Sequence, residues 1–338
     1  MEQLRNGNLI TLDTGTTNTR MILWQNGEEK GTYKAEVGVR DTSIDGSNAR
    51  LKEAIRAGFA QLLGNAGLQP ADVDAVLASG MITSEVGLKE VPHLAAPVSV
   101  QDLAENMTTV LIEDVFPVPI SFIPGVKNTA SPVNTGNFEA MDIMRGEETE
   151  AVCILSQLQT ENGCVVVLPG SHSKFVHINE KNEITGCLTS LAGELLSVLT
   201  CNTILADSVQ KHFTAPEEYD PEKVRLGFET ARDVGVARAA FSGRILSRFA
   251  GFTAADLSNY LLGVALSGDA QALRNSSALP TTPETTIVVC GKEPLRSALM
   301  DILRWDGHYT DIRAFDLQDA VPLSARGALH LYSLRKEK

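Results

Sequence analysis

The stretch that decides the fold is Asn8-Leu-Ile-Thr-Leu-Asp13-Thr-Gly15-Thr-Thr-Asn18-Thr-Arg20-Met-Ile-Leu-Trp24, in which two apolar runs flank a polar turn. This pattern predicts two antiparallel strands joined by a turn that carries a carboxylate, a glycine and several hydroxyl groups. Glycine permits close backbone approach, so the N–H groups of the turn can surround a phosphate. Asp13 ends the first strand and can hold Mg²⁺ through water molecules, because hard cations prefer oxygen ligands. An ordinary hairpin with a polar turn is the alternative for this segment taken alone.

The composition favours a two-domain protein that acts on a small anionic ligand. The chain has 338 residues, of which 43% are hydrophobic, enough for two packed cores. Its net charge of −13 argues against nucleic acid or an anionic membrane surface as the main partner. No apolar run approaches the roughly 20 residues that span a bilayer, and the first residues lack the apolar core of a signal peptide. We therefore expect a cytoplasmic protein, in which an anion is held by local N–H groups and a few cations.

The hairpin design recurs in the second half of the chain. Cys164–Leu168 is a predicted strand, Pro169–Ser173 a polar turn and Lys174–Ile178 a second strand. We therefore expect two domains, 1–160 and 161–338, each a mixed sheet of about five strands flanked by helices, with a ligand cleft between them. Helical spacing of apolar residues predicts helices over 47–63, 141–158, 193–205, 221–232, 238–249, 256–267, 295–305 and 322–334. Further strands are expected over 31–39, 73–78, 109–115, 119–123 and 286–290.

Six segments carry a resemblance to a known family. They are Leu12-Asp-Thr-Gly-Thr-Thr-Asn-Thr-Arg20, Ser79-Gly-Met-Ile-Thr-Ser-Glu-Val-Gly87, Ile123-Pro-Gly125, Met144-Arg-Gly-Glu-Glu-Thr149, Leu168-Pro-Gly-Ser-His-Ser-Lys-Phe-Val176 and Gly193-Glu-Leu195. In this colinear order they resemble the 2-dehydro-3-deoxygalactonokinases, sugar-acid kinases of the actin/hexokinase/Hsp70 ATPase superfamily. The resemblance implies an α/β fold of two ribonuclease H-like domains, the actin-like ATPase fold, with the last helix packing at the domain junction. It also implies ATP and Mg²⁺ as the cofactors.

The resemblance assigns the nucleotide to both hairpins. Lys174 would neutralise charge that builds up on the transferred phosphoryl group, unless it is simply a surface lysine on a strand. Gly291 matches the turn against which adenine packs, but Lys292 stands where a small residue is more usual, so the nucleotide specificity stays open. The implied nucleotide-binding residues are Asp13, Gly15, Thr16, Thr17, Asn18, Arg20, Gly170, Ser171, His172, Ser173, Lys174 and Gly291.

The same resemblance places the general base at the start of a helix. Glu147 occupies the position of the acidic residue that takes the proton of the attacking hydroxyl in related kinases. Adjacent carboxylates in a cleft raise each other's pKa, which suits a base, whereas the helix dipole favours the ionised form. Glu148 and Asp13 are alternative bases. Both glutamates could also merely complement the helix dipole.

The substrate would be a 2-keto-3-deoxy sugar acid, whose carboxylate needs a cationic partner. Arg145 is the first candidate because guanidinium binds carboxylate in a fork, although a salt bridge to a neighbouring glutamate would explain it equally. Glu194, at a predicted helix start, is either a polar ligand or a first-turn carboxylate. The implied substrate-binding residues are Ser79, Gly80, Met81, Ser84, Arg145 and Glu148.

The leading hypothesis is an ATP-dependent kinase for the terminal (6-) hydroxyl of 2-dehydro-3-deoxy-D-galactonate. The gluconate epimer is an alternative substrate, because the sequence does not fix the stereochemistry. A non-catalytic sugar-acid sensor on the same fold is the second hypothesis, and an actin- or Hsp70-like ATPase acting on proteins is the third. The sequence is compatible with a homo-oligomer but does not determine the oligomeric state.

Overall fold

The computed structural model describes residues 7–129, 132–158, 162–317 and 320–335. Its strands are β1 (Asn8–Thr14), β2 (Thr19–Gln25), β3 (Glu28–Ala35), β4 (Ala75–Gly80), β5 (Leu94–Ala95), β6 (Val98–Ser99), β7 (Thr108–Ile112), β8 (Phe116–Phe122), β9 (Val126–Lys127), β10 (Ile143–Met144), β11 (Cys164–Leu168), β12 (Ser173–Ile178), β13 (Glu183–Ser190), β14 (Ile287–Val289) and β15 (Ile312–Ala314). Its helices are α1 (Val39–Asp45), α2 (Ala49–Ala66), α3 (Val100–Glu105), α4 (Glu147–Leu155), α5 (Ala192–Cys201), α6 (Leu205–Val209), α7 (Pro221–Val234), α8 (Val236–Phe249), α9 (Ala254–Asn275), α10 (Leu295–Asp306) and α11 (Leu323–Leu334).

Five strands of each larger sheet follow the same order when the second sheet is read from its opposite edge. The first sheet has the order β3-β2-β1-β4-β8-β7 and the second has the order β15-β14-β11-β12-β13-β6. In both sheets, the first strand of an antiparallel hairpin also pairs with a parallel strand on its other edge. β4 pairs with β1 in this way, and β14 pairs with β11. This is the ribonuclease H-like arrangement, so the expected α/β fold is confirmed. Each sheet carries a sixth strand at one edge beyond the five that we expected.

A third, three-stranded sheet was not anticipated from the sequence. Its order is β10-β9-β5, with two residue pairs in register between each pair of neighbouring strands. The predicted helix over 141–158 was wrong in its first part, because β10 occupies Ile143–Met144 and the helix begins only at Glu147. Gly146 forms the N-cap with a φ of 110°, a backbone conformation that glycine adopts most readily, and it separates the strand from the helix.

Other expected elements differ in their bounds. The helix predicted over 193–205 ends at Cys201, and a short separate helix, α6, follows it. The strands predicted over 31–39 and 109–115 lie at Glu28–Ala35 and Thr108–Ile112. Tertiary pairing decided these bounds, since β3 follows the register of β2 and β7 that of β8. Elements missed by the sequence analysis are α1, α3, β5, β6, β9, β13 and β15.

The last helix, α11, connects the two halves of the molecule. It packs on α4, β1 and β4, and its buried residues share one hydrophobic core with strands of both larger sheets. β6, from the first half of the chain, pairs with β13 in the second sheet. The domain division at residue 160 therefore stays a prediction. Among the described residues, no helix is both long and apolar enough to cross a membrane.

Because α11 packs closely on α4, one methyl group added at their contact should lower the stability of the fold. A Cβ added at Gly327 would overlap the backbone carbonyl oxygen of Thr149. We expect Gly327→Ala to lower the free energy of unfolding by about 1–3 kcal/mol, because the helices must separate to admit it. Urea unfolding followed by circular dichroism measures this loss.

The matched control is Gly64→Ala in α2, where an added Cβ would meet no atom within 4 Å. This variant should be more stable by about 0.5–1 kcal/mol, because alanine restricts the unfolded chain and favours the helix. Equal stability of Gly327→Ala and wild type would contradict the packing argument.

Candidate active site

Three backbone segments meet at the carboxyl ends of β1 and β4. Gly80 is the last residue of β4, and it lies opposite Thr14 in the parallel pairing of β4 with β1. A Cβ at Gly80, where φ is +84°, would lie 2.8 Å from Oδ1 of Asp13 and 2.7 Å from the Thr14 carbonyl oxygen. A Cβ at Gly146 would lie 3.2 Å from the Gly80 Cα. The first hairpin, the loop after β4 and the start of α4 are therefore in direct contact.

The turn of the first hairpin opens onto a cavity. Gly15 N–H donates to the Asn18 carbonyl at 2.9 Å, which closes the turn and leaves Thr16, Thr17 and Asn18 exposed. Arg20 pairs with Asp13 across the strands, and its Nε is buried without a hydrogen-bond partner. The cavity has a volume of about 430 Å³ and is lined by Asp13, Gly15, Thr16, Thr17, Asn18, Thr19, Arg20, Lys34, Ala35 and Glu36. All six residues assigned to phosphate in this hairpin thus surround one space.

Asp13 is held by a residue that the sequence analysis missed. Ser324 Oγ, in the first turn of α11, donates to Asp13 Oδ2 at 3.2 Å. Burial raises the pKa of Asp13, while the hydrogen bond from Ser324 opposes that rise. No sequence signal marks Ser324, because it reaches Asp13 only through the packing of α11 against the first sheet.

Glu147 interacts electrostatically with charged groups on both hairpins. Its Oε2 accepts a hydrogen bond from the Arg145 backbone N–H at 3.1 Å. Burial raises the pKa of Glu147, and the positive charges of Lys174 and His172 on the second hairpin lower it. The charge of Glu147 in turn raises the pKa of Asp13. Glu147 is therefore close enough to both hairpins to act on groups bound there.

Glu148 faces the protein interior. Its side chain is fully buried, and both of its oxygens accept the Gly146 backbone N–H at 2.9 Å. Burial, reinforced by the charge of Glu147, raises the pKa of Glu148 to about 8. This environment differs from the solvent-facing one expected of a substrate ligand. The hydrogen bonds instead fix the backbone turn that precedes Glu147.

Glu150 is a further carboxylate that the sequence analysis missed. Burial and the charges of Glu147 and Asp13 raise its pKa to about 8, and Arg20 opposes that rise. It stands three residues after Glu147, so the helical repeat places the two on neighbouring positions of one face. This three-residue spacing was the sequence signal that could have identified Glu150.

Lys174 is not the surface lysine of the alternative explanation. Its ammonium is buried and donates to the Ile143 carbonyl at 2.8 Å and to Thr189 Oγ1 at 2.6 Å. It therefore joins β12 of the second sheet to the strand that leads into Arg145. Its charge is directed at Glu147, as the pKa of that carboxyl reports.

The second hairpin is closed by the start of α5. Glu194 N–H donates to the Ser171 carbonyl at 3.0 Å, and Glu194 Oε1 lies 2.9 Å from His172 Nε2. A Cβ on Gly193 would overlap the Gly170 carbonyl, so only glycine allows this approach. Glu194, which the sequence left open, thus supports the turn. Ser173 Oγ is buried and has no partner.

A second cavity begins at the same hairpin. Its volume is about 270 Å³, and it is lined by Gly170, Ser171, Gly193, Leu196, Thr200, His212, Phe213, Thr214, Ser258, Leu262, Pro294 and Leu295. Gly291 lies beside the hairpin, since a Cβ there would approach Pro169 Cγ to 3.0 Å. Residues 212–214 and Ser258 were missed because they come from separate helices and loops that only the fold brings together.

Arg145 forms hydrogen bonds with the segment that follows β4, where residues 79–87 form the predicted sugar-acid loop. Arg145 Nη1 donates to Thr83 Oγ1 and Nη2 donates to the Val91 carbonyl, both at 2.8 Å. Thr83 Oγ1 donates to the Gly80 carbonyl at 3.0 Å. Across the described ranges Arg145 forms no ion pair within 4.0 Å, in contrast to the salt-bridge alternative. Ser79 and Ser84 are buried, and Ser84 Oγ donates to the Met81 carbonyl at 2.7 Å.

Comparison with known proteins accounts for this arrangement. The sequence profile of the 2-keto-3-deoxy-galactonokinases matches residues 13–323. The chain belongs to this family. It is 24% identical over 221 residues to the 2-dehydro-3-deoxygalactonokinase of Escherichia coli K12, a match that covers 65% of this chain and 64% of that protein.

A solved structure supports the fold of this family member. The provisionally assigned 2-dehydro-3-deoxygalactonokinase from Sinorhizobium meliloti superposes with a TM-score of 0.70. The two chains are 22% identical, and the superposition covers 96% of this chain and 98% of the other. At this identity the similarity establishes the shared fold and no more.

The buried Glu148 predicts a pH-dependent stability difference. Its pKa is about 8 in the folded chain and its ordinary value is 4.5. Between these values the unfolded chain has lost the proton that the folded chain keeps, so stability falls as pH rises. Glu148→Gln keeps an acceptor for Gly146 N–H but has no proton to lose.

We therefore expect the melting temperature of Glu148→Gln to rise relative to wild type as pH increases from about 5 to about 8. Differential scanning fluorimetry across this range measures the difference. Glu53→Gln, at an exposed site on α2, is the control and should follow wild type throughout. Parallel curves for Glu148→Gln and wild type would show that Glu148 ionises normally in the folded protein.

Proposed function

We propose that the protein is an ATP-dependent kinase that phosphorylates the terminal hydroxyl of 2-dehydro-3-deoxy-D-galactonate. The observation that carries the proposal is the position of Glu147, whose charge interacts with Asp13 of the first hairpin and with Lys174 and His172 of the second. A carboxylate between two phosphate-type turns suits a base acting at the phosphate that both turns hold. The match to the E. coli enzyme supports the substrate class.

In this proposal ATP would occupy both cavities. The adenosine would lie in the cavity beside Gly291, and the phosphates would extend past Ser171 toward the turn of residues 15–18. Arg20 Nε, buried and unpartnered, would then meet a phosphate oxygen. Lys292 precedes the cavity wall formed by Pro294 and Leu295, so the choice of ATP over other nucleoside triphosphates is part of the proposal.

Mg²⁺ fits the chemistry of the donors. Asp13 and Glu150 would supply carboxylate oxygens. Burial is the main cause that raises the pKa of both groups, and the charge of Glu147 adds to it. No group of three or more His, Cys, Asp or Glu side chains within the described ranges is arranged to hold a metal by itself. Mg²⁺ usually binds through one or two carboxylates together with phosphates and water, and Asp13 would be the anchor. When bound, the ion would neutralise charge on the phosphate oxygens.

The chemistry would be an in-line phosphoryl transfer. The terminal hydroxyl oxygen of the sugar acid forms a bond to the γ-phosphorus while the bond from that phosphorus to the β–γ bridging oxygen breaks, and ADP leaves. Glu147 takes the hydroxyl proton. Arg145 binds the substrate at its other end, and its backbone N–H holds Glu147 in place. Lys174 holds the strand before Arg145 and lowers the pKa of the base.

The remaining residues of the predicted sugar-acid site would act in two ways. Thr83 and the backbone of residues 79–81 would line the loop that receives the sugar hydroxyls. Glu148 would set the Gly146 turn from behind rather than contact the substrate. The enzyme would be cytoplasmic, in keeping with a metabolic substrate. The galactonate epimer is preferred over the gluconate epimer on the family name alone.

Replacing the proposed base tests the function directly. We expect Glu147→Gln to lower kcat by roughly 10²–10⁴ with MgATP and the keto-deoxy acid, because positioned proton transfer contributes about this factor. The affinity for ATP, measured by calorimetry, should be unchanged. Release of ADP is followed in a coupled assay with both 2-keto-3-deoxy hexonates, gluconate and glycerol.

Glu113→Gln, at an exposed position between β7 and β8, is the matched control and should retain full activity. Absence of turnover with every keto-deoxy acid by the wild-type protein would refute the kinase. Binding of the acid without turnover would instead support the sensor hypothesis.

The pKa of Glu147 predicts the acidic limb of the pH profile. Its carboxyl must be ionised to accept a proton, and burial raises its pKa, so kcat/KM should fall at a higher pH than for an ordinary glutamate. Lys174 lowers this pKa. Lys174→Met should therefore move the acidic limb to still higher pH, in addition to lowering the rate. An acidic limb at the same pH in both proteins would exclude this coupling.

A further inference from the structure

The three-stranded sheet gathers cationic side chains on one side of the predicted sugar-acid loop. His93 directly precedes β5, Lys127 lies in β9 and Arg145 directly follows β10. Gly125 makes their close packing feasible, because a Cβ there would lie 2.8 Å from Arg145 Cγ and 2.9 Å from His93 Cδ2. Arg145 Nη2 lies 3.4 Å from His93 Nδ1.

Burial lowers the pKa of Arg145, and the charges of Glu148 and Glu90 oppose that fall without forming an ion pair with it. Among the residues described, neither Arg145 nor Lys127 forms an ion pair within 4.0 Å. The hydrogen-bond acceptors of Arg145 are a hydroxyl, a carbonyl and an imidazole nitrogen, all uncharged. Burial, followed by the charges of Arg145, Lys127 and Lys174, lowers the pKa of His93 to about 4, so its ring is neutral near pH 7.

The contact with Arg145 fixes which ring nitrogen carries the proton. Guanidinium has donors only, so Nδ1 of His93 accepts and the proton of the neutral ring resides on Nε2. Nε2 is buried, and it has no hydrogen-bond partner among the residues that the structure describes. A buried N–H without an acceptor costs free energy, and neither the surrounding protein nor bulk water offsets that cost at Nε2. The cluster therefore lacks one acceptor, and its charge favours an anionic one.

We infer that His93, together with Arg145, binds the carboxylate of the sugar acid through its Nε2–H. The inference rests on the proposed function. Arg145 has five N–H donors and uses three of them in the contacts described, so two remain for a carboxylate. Lys127 adds favourable charge at longer range. Nε2 is closed to solvent while His93 as a whole residue is half-buried, so a carboxylate would have to displace neighbouring atoms to reach Nε2.

The same arrangement orients the substrate. The guanidinium of Arg145 points to the cationic cluster, while its backbone N–H holds Glu147. A six-carbon acid bound by its carboxylate at the cluster would thus extend its far hydroxyl toward the base. His93 would therefore distinguish a sugar acid from a neutral sugar of the same length.

Two substitutions at His93 test this role. Phenylalanine keeps a planar ring but removes the donor, whereas glutamine places an N–H near the position of Nε2. We expect His93→Phe to raise KM for the 2-keto-3-deoxy acid roughly 10- to 100-fold, the usual range for a hydrogen bond to a charged group. KM for ATP should not change. His93→Gln should restore most of the affinity, and His308→Phe, remote in sequence from the cluster, should match wild type.

A neutral analogue separates binding of the carboxylate from general damage. In calorimetry without ATP, the C1 amide of the same acid should lose less affinity than the acid on His93→Phe, because a hydrogen bond to a charged acceptor is stronger than one to a neutral carbonyl. Equal KM of wild type and His93→Phe for the acid would overturn the inference while leaving the kinase intact. Acid binding that depends on His93 in a protein without turnover would refute the kinase but support the inference. Failure of the acid to bind wild type would overturn both.

Discussion

The site depends on the contact between Gly146 and Gly80, where two backbones approach without intervening side chains. This contact places the first turn of α4 over the ends of β1 and β4. Glu147 and Glu150 thereby come close to Asp13. Burial raises the pKa of all three groups, and the charge of Glu147 adds to the rise at Asp13 and Glu150. A larger residue at either glycine would move the helix away from the strands. The carboxylates would then no longer share one environment.

Such a cluster is costly for the protein alone. Carboxylates gathered with few cations disfavour ionisation, and the pKa values of about 8 for Glu148 and Glu150 show that protonation is the response. A bound cation and phosphates arranged by the two hairpins would change this balance. A divalent cation bound as proposed would therefore offset a stability cost that the buried carboxylates impose on the fold.

Two hydrogen bonds link parts of the molecule that are distant in the chain to the surroundings of this cluster. Lys174 extends from the second sheet to the Ile143 carbonyl, one short strand away from the base. Ser324 extends from the last helix to Asp13. Both contacts connect this part of the molecule to elements distant in the chain. Changes in the packing of α11 or β12 are thus transmitted to the site through single hydrogen bonds.

The sequence by itself determined both polar-turn hairpins and the α/β fold, because apolar alternation and turn residues are local signals. It placed the start of the acidic helix too early, since a two-residue strand precedes Glu147. Glu147, Arg145 and Lys174 were identified through motifs, but their partners were not. The three-stranded sheet, Ser324 at Asp13 and the neutral His93 beside Arg145 were decided only by the tertiary structure. Strands of two residues have no periodicity to detect, and a hydrogen bond across 311 positions has no local sequence pattern. Burial, which sets the protonation of Glu148 and His93, arises from the packing of the whole fold.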